Sequence, residues 1–131
     1  MKYLLDTDII IYWLKGNVKI EKKSMSVKLK NIGFSIISKA ELCFGAYNSS
    51  HVAKNTDNIR ILSKKISVLS FDEAASEIFG RIKSDLKKSG KIILDADIMI
   101  ASTALANNLI LVTNNSKHFE RIKGLKIENW S

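Results

Sequence analysis

The hydrophobic pattern of this chain alternates short apolar runs with longer segments of helical spacing. A short apolar run bounded by polar residues is typical of a strand that is buried on both faces of a sheet. Four such runs occur and predict one strand each, and a fifth, mostly polar strand is predicted near the C-terminus. These strands cover residues 3–6, 34–37, 66–70, 109–113 and 126–129.

The segments between these runs predict helices, because their apolar residues recur every three or four positions. Two helix starts show the serine-to-glutamate spacing of a capping box, Ser38 with Glu41 and Ser70 with Glu73. The predicted helices cover residues 8–14, 19–30, 38–47, 56–65, 70–90 and 95–107, and a helical turn covers 116–121.

Strands that are separated by helices favour parallel crossover connections, so the pattern predicts an α/β fold. We expect a three-layer sandwich in which helices cover both faces of a short, mainly parallel central sheet. No repeat, low-complexity tract or linker divides the sequence, so residues 1–131 are expected to form a single domain. In such sheets the functional groups gather at the carboxyl ends of the strands.

The charge balance of the chain is basic, with 21 Lys and Arg residues against 13 Asp and Glu residues and a formal net charge of +8. A basic surface attracts polyanions, which favours a nucleic acid partner; a lysine-rich protein without such a partner is the alternative. Arg81, Lys83 and Lys91 would line a path for RNA only if their predicted helix borders the functional cleft.

Cysteine usage and hydropathy indicate the compartment. The single Cys43 cannot build a disulfide framework and suits a reducing cytosol. Asp6 and Asp8 interrupt the apolar run at the N-terminus, so no signal peptide is expected. No apolar stretch approaches the roughly 18 residues of a membrane span. We therefore expect a cytoplasmic protein without membrane contact.

Three acidic residues are expected at the carboxyl edge of the sheet. Asp6 ends the first strand, Glu41 lies in the first turn of the helix after the second strand, and Asp97 lies in the first turn of the helix before the fourth. Carboxylates that meet beside a core repel one another unless a cation neutralises them. Taken singly, Glu41 could be only an arm of a capping box and Asp97 only a helix N-terminal acid, whereas a strand-terminal Asp6 has no routine structural role.

A joint site of Asp6, Glu41 and Asp97 predicts a bound divalent metal ion. Hard oxygen ligands without a Cys or His cluster suit Mg²⁺ or Mn²⁺ rather than Zn²⁺. Such an ion lowers the pKa of bound water and presents hydroxide for attack, and a phosphodiester substrate agrees with the net charge. His51 and His118 are the only histidines, and neither a GxxxxGK[ST] nor a GxGxxG motif is present.

Several ordered segments carry a family resemblance. They are LLDTDI at 4–9, ISKAEL at 37–42, DIMIA at 97–101, LVTNN at 111–115, FERI at 119–122, GL at 124–125 and ENW at 128–130. As a set, they are similar to the PIN-domain ribonucleases of the VapC toxin type, and the resemblance covers nearly the full length of the chain.

The resemblance implies a PIN-like fold in which Asp6, Glu41 and Asp97 form the acidic cluster that binds Mg²⁺ or Mn²⁺. It implies that RNA is cleaved endonucleolytically by metal-activated water. It also implies the toxin component of a type II toxin–antitoxin system, which a cognate VapB-type antitoxin holds inactive, and a homodimer as the usual unit.

Four further residues are candidates for supporting roles. Thr113 and Asn115 match the polar pair of the family at the end of the fourth strand, where they would hold water or a ligand. The sequence departs from the pattern at His118, where many relatives carry a fourth acid; a second metal ion would then bind more weakly, or only with RNA present. His118 could instead contact a phosphate or be a solvated loop residue. Asp8 is expected mainly as the N-cap of the first helix, with support of the site as the alternative.

Two other classes of function stay open. The segment LDTDI at 5–9 mimics the nucleophile motif of HAD-type phosphatases, but Asp95 and Asp97 are a poor substitute for the later acidic pair of that class. A degenerate PIN module that binds RNA or protein without cleavage is the second alternative, because the fourth acid is absent.

Overall fold

Five strands form a single sheet in the computed structural model, which describes residues 1–131. The strands are β1 (Tyr3–Leu5), β2 (Ile32–Ser35), β3 (Ser67–Leu69), β4 (Ile110–Val112) and β5 (Ile127–Glu128). The helices are α1 (Thr7–Leu14), α2 (Val18–Val27), α3 (Ile36–Tyr47), α4 (Val52–Lys65), α5 (Glu73–Lys88), α6 (Asp95–Ala106) and α7 (Ser116–Phe119), and a 3₁₀ turn spans Leu29–Asn31. None of these helices is long and apolar enough to cross a membrane.

The strand order is β3-β2-β1-β4-β5, and every neighbouring pair runs parallel. The first strand is central, since Leu5 pairs with Phe34 of β2 and with Val112 of β4. The carboxyl ends of these three strands therefore lie side by side at one edge. The predicted α/β class is confirmed, and the sheet is parallel throughout.

Two apolar clusters cover the two faces of the sheet. Successive side chains of a strand point to opposite faces, so Tyr3 and Leu5 join one cluster while Leu4 joins the other. Residues of α1 to α4 complete the first cluster, and residues of α5, α6 and α7 complete the second. Burial on both faces explains why the sequence of β1 is apolar without alternation.

The start of α5 differs from the prediction, whereas α6 begins at Asp95 as predicted. The N-cap of α5 is Asp72 rather than Ser70, because the Asp72 carboxylate accepts from the backbone N–H of Ala75 at 2.9 Å. Asp95 is the first residue of α6, and its carboxylate lies 2.9 Å from the Lys83 ammonium group in an exposed ion pair. A Ser-x-x-Glu spacing therefore does not identify the cap when an aspartate stands between the two residues.

Gly33 lies inside β2, which begins two residues before the strand predicted over 34–37. A Cβ atom at this position would lie 2.8 Å from Leu69 Cδ1 and from Met1 Sδ, and 3.0 Å from the Ser67 carbonyl oxygen. The last contact is to the backbone of β3, which cannot move without disturbing the sheet. Glycine at this position therefore permits the close approach of β3 to β2.

We expect Gly33→Ala to lower the free energy of unfolding by about 1 to 3 kcal/mol, the usual range for overpacking. Urea denaturation followed by circular dichroism measures the change. Gly80→Ala in α5 is the matched control, because a Cβ atom there meets nothing within 4 Å. Alanine favours a helix interior by about 0.5 to 1 kcal/mol, so the control should be neutral or stabilising. Equal effects of the two substitutions would contradict this explanation.

Candidate active site at the carboxyl edge of the sheet

Asp6 follows β1 directly and is the N-cap of α1. Its Oδ1 accepts from the backbone N–H of Thr7 at 2.8 Å, and its Oδ2 accepts from the Thr113 hydroxyl at 2.8 Å. The backbone N–H of Asp6 donates to the Val112 carbonyl at 2.8 Å, which extends the bonding between β1 and β4 by one residue. Asp6 is only 5% exposed, so its carboxylate is held at the edge of the core.

Asp8 lies in the first turn of α1, so the prediction that it caps this helix is wrong. Asp6 already occupies the capping position. The Asp8 carboxylate accepts from the backbone N–H of Ile9 at 2.7 Å and from the backbone N–H of Asn114 at 3.2 Å. The second bond joins α1 to the chain that leaves β4, and it holds Asp8 close to Asp6.

Carboxylates crowd this edge without a compensating cation. Burial raises the pKa of Asp6 from its usual 3.8 to about 7, and the negative charges of Asp8 and Asp97 add to the rise against the hydrogen bonds from Thr113 and Thr7. Burial also raises the pKa of Asp8, with Asp97 contributing. Neither Asp6 nor Asp8 forms an ion pair with a lysine or arginine. The three aspartates therefore form one electrostatic cluster.

Asp97 lies in the first turn of α6, as predicted, and its side chain meets α7. Its Oδ2 lies 3.0 Å from His118 Nε2, and both side chains are largely covered, with 23% and 21% exposed. His118 therefore contacts the acidic cluster itself. The expectation of a solvated loop histidine does not fit this contact.

Glu41 lies in the second turn of α3 rather than in the first, because Ser35 caps this helix and Ser38 does not. The Glu41 carboxylate is exposed and accepts from the Thr7 hydroxyl at 2.7 Å. The Thr7 Oγ1 also lies 2.9 Å from the buried Ser38 Oγ. Thr7 thus connects Glu41 to the turn that begins at Asp6.

Thr113 and Asn115 both lie just after β4, but only Thr113 contributes its side chain to the site. The buried Thr113 hydroxyl donates to Asp6 and accepts from the backbone N–H of Asn115 at 3.0 Å. The Asn115 side chain is exposed and forms no capping bond to α7. Asn115 therefore supports the site through its backbone, which fixes the rotamer of the threonine.

Sequence reasoning missed the roles of Thr7, Ser38 and Asn114. Thr7 has a usable signal, since it stands between two aspartates immediately after a buried strand. Ser38 is expected as a helix cap that lies near Glu41. Its contact with Thr7 has no local signal, because it joins parts of the chain that are distant in sequence. The contact of Asn114 with Asp8 uses the backbone N–H, which leaves no side-chain signal.

The edge thus brings Asp6, Asp8 and Asp97 together, and Thr7 joins Glu41 to them. In these hydrogen-bonded positions, no three acidic or histidine side chains stand close enough to ligate one ion. The donor chemistry nevertheless fits a hard divalent cation, because the cluster offers carboxylate oxygens and no thiolate. A cation would also relieve the repulsion that helps to raise the pKa of Asp6.

Comparison with known families decides the class of this protein. The family model described as PIN domain matches residues 3–125. The chain belongs to the PIN domain family. The predicted family and fold are therefore confirmed, and the HAD-type phosphatase alternative is set aside because the PIN match spans nearly the whole chain.

The relatives of this PIN-domain chain include ribonucleases. The chain is 36% identical over 130 residues to Ribonuclease VapC2 of Haemophilus influenzae. This alignment covers 99% of this chain and 98% of the relative. It is 34% identical to tRNA(fMet)-specific endonuclease VapC of Shigella flexneri, over 100% of this chain and 99% of the relative. Among solved structures, VapBC2 from Rickettsia felis bound to a promoter DNA fragment aligns with a TM-score of 0.94 and 33% identity, over 100% of both chains.

We expect the metal-free protein to lose stability as the pH rises from about 4 to about 7. The pKa of folded Asp6, about 7, lies above its usual 3.8, so the folded state binds this proton more tightly than the unfolded state. The stabilisation by this proton is complete below the usual pKa of 3.8 and lost above the folded-state pKa of about 7. Asp6→Asn should therefore exceed the wild type by roughly 2 to 4 kcal/mol at pH 8, and the difference should vanish near pH 4.

Urea denaturation at a series of pH values, with a chelator present, measures this difference. Asp57→Asn is the matched control, because Asp57 is 65% exposed in an ion pair with Arg60. Its stability should stay within about 0.5 kcal/mol of the wild type at every pH. Parallel pH profiles for the wild type and Asp6→Asn would show that Asp6 does not titrate in this way.

Proposed function

We propose that this chain is an endoribonuclease toxin that hydrolyses RNA phosphodiester bonds with the help of a bound Mg²⁺ or Mn²⁺ ion. The observation that carries the proposal is the buried Asp6 carboxylate at the sheet edge, whose pKa is about 7 beside Asp8 and Asp97. Perturbed carboxylates gathered at the carboxyl edge of an α/β sheet are typical of functional sites. The ribonuclease and endonuclease names of the relatives support the reaction class.

Asp6, Glu41 and Asp97 would hold the ion, and Glu41 and Asp97 would leave their contacts with Thr7 and His118 to do so. When bound, a divalent ion supplies a water of lowered pKa and neutralises charge that develops on the phosphate. Asp6 is preorganised for this role, because Thr113 and the Thr7 backbone fix both of its carboxylate oxygens. Glu41 is exposed, so its carboxylate is accessible to an ion and a substrate from solvent.

His118 and Asp8 have supporting roles in this proposal. His118 Nε2 contacts Asp97 and positions that carboxylate in the free protein. His118 stands where the family resemblance implies a fourth acid, so a second ion would have one carboxylate ligand fewer. Asp8 adds negative charge beside Asp6, which strengthens the attraction of the cluster for a cation.

We expect Asp97→Asn and Glu41→Gln each to lower the rate of RNA cleavage by about 100-fold or more. Losing an outer partner of a metal ligand costs about 10- to 100-fold, and losing a ligand should cost at least as much. Cleavage of unfractionated tRNA in Mg²⁺ or Mn²⁺, resolved on a denaturing gel, measures the rate. A chelator should abolish the wild-type activity.

Asp95→Asn is the matched control for Asp97→Asn. It removes the same charge two positions earlier in α6, from an exposed ion pair with Lys83, and should leave the rate within about twofold of the wild type. Normal cleavage by Asp97→Asn would remove Asp97 from the ligand set. A wild type that binds tRNA but never cleaves it, in either metal, would favour the non-cleaving PIN module instead.

We also propose that the chain binds a VapB-type antitoxin and forms a homodimer. Solved VapBC structures from Rickettsia felis and Salmonella typhimurium support the antitoxin, with TM-scores of 0.94 and 0.95. The chain also exposes large apolar side chains that protein partners would cover, among them Phe44, Tyr47 and Ile92.

Co-expression with the adjacent reading frame should yield a complex that copurifies and suppresses tRNA cleavage. One chain has a mass of 14.7 kDa, and light scattering of the chain alone should report twice that mass. A monomer in light scattering would overturn the homodimer. An adjacent product that neither copurifies nor inhibits would overturn the antitoxin assignment for that reading frame.

A further inference from the structure

A basic cavity lies between the C-terminal half of α5 and the segment that follows α7. Its volume is about 640 Å³. The charged residues that line it are Arg81, Asp85, Lys88, Lys91, Arg121 and Lys123. Five of these six are basic, so the cavity carries a formal excess of four positive charges, half of the net +8 of the whole chain.

The basic groups of this cavity have no carboxylate partners. None of the five forms an ion pair, although the cavity also contains Asp85. Lys83 of the same helix behaves differently, because it is paired with Asp95. Like charges gathered without counter-charges repel one another, and a bound polyanion relieves that repulsion.

The backbone holds the two walls of the cavity in place. The helix α5 ends at Lys88, and Gly90 follows its C-cap Ser89 with a φ of +68°. This conformation lets the chain turn so that the Lys91 N–H donates to the Leu86 carbonyl at 2.9 Å. On the other wall, the Arg121 guanidinium donates to the Ile92 carbonyl at 3.3 Å. The loop before α6 and the segment after α7 are thereby joined, so the cavity is preformed.

Each of these two segments adjoins a helix that carries a residue of the acidic site, Asp97 in α6 and His118 in α7. Arg121 follows His118 by three residues, so their Cα atoms are at most about 11 Å apart. Ile92 lies in the loop that leads into the first turn of α6, where Asp97 stands. The basic cavity is therefore a neighbour of the acidic cluster, at a separation that a few nucleotides can span.

We propose that this cavity binds backbone phosphates of the RNA a few nucleotides away from the cleaved bond, an inference that rests on the proposed ribonuclease function. No aromatic residue lines the cavity, so it offers no platform for stacking bases. Several cations around one cavity can each contact a different phosphate of one RNA strand. The contribution of such phosphate contacts to RNA affinity is independent of base sequence and sensitive to salt.

The test compares two triple variants, each made in the Asp97→Asn background so that RNA stays intact. Arg81→Gln/Lys88→Gln/Lys91→Gln removes three charges from the cavity and keeps Arg121, which joins the two walls. Lys19→Gln/Lys22→Gln/Lys23→Gln removes three charges from a separate lysine-lined depression and is the matched control. Circular dichroism and urea midpoints check that both variants fold.

Anisotropy of fluorescein-labelled, unfractionated tRNA measures binding over a series of NaCl concentrations, with a chelator present. We expect the cavity variant to bind about 10- to 100-fold more weakly at low salt. The slope of log Kd against log salt should fall by about 2, since each phosphate contact contributes roughly 0.7 to 0.9. The control variant should change affinity by less than about threefold.

Equal losses in the two variants, or no loss in the cavity variant, would overturn the proposal. Displacement of the tRNA from the Asp97→Asn protein by polyglutamate at a similar concentration would assign the cavity to an acidic protein segment, and would also overturn it. This binding result is independent of cleavage. A wild type that fails to cut tRNA therefore contradicts the proposed function without changing the outcome of this comparison.

Discussion

Negative charge buried at the edge of the sheet is the constraint on which the rest of this structure depends. A carboxylate that loses its water becomes harder to ionise, and two further aspartates nearby add to the penalty. The fold offsets part of this cost with hydrogen bonds from Thr113 and the Thr7 backbone to Asp6. It supplies no lysine or arginine partner to Asp6 or Asp8, so the charge is left for an external cation to neutralise. Functional sites commonly reduce stability in this way.

The strand order explains how distant parts of the chain reach this one edge. Because β1 is flanked by β2 and β4, the residues that follow these three strands become neighbours. Asp6 follows the first strand, Glu41 stands on the helix after the second, and Thr113 follows the fourth. The contact between Thr7 and Glu41 spans 34 residues of sequence, and the contact between Thr113 and Asp6 spans 107. A parallel sheet is what makes such contacts routine.

Local pattern predicts the acidic positions, and it predicts each strand to within two residues of its observed bounds. The signal is clearest for β1, because burial on both faces leaves an unbroken apolar run with a polar residue after it. Helix starts were harder to predict, since Ser35 and Ser38 offer the same capping chemistry and tertiary contacts choose between them. That choice moved Glu41 from the first turn of its helix to the second. The site roles of Asn114 and Asn115 run through their backbone N–H groups, which depend on the path of the chain and not on residue type.

The distribution of charge constrains how this fold can meet RNA. A cluster of ionised carboxylates repels phosphate, so an acidic site alone would keep its proposed substrate away. A divalent ion reverses the sign of the field only at close range, because salt screens it within about 8 Å. Phosphates beyond that range have to be bound by cations of the protein that lie close to them, because salt screens those cations over the same distance. Those cations act best when they stand beside the site without carboxylate partners, as the five basic residues around the α5 cavity do. Separating the groups that capture RNA from those that would bind the ion lets both sets of charges remain unpaired in one small domain.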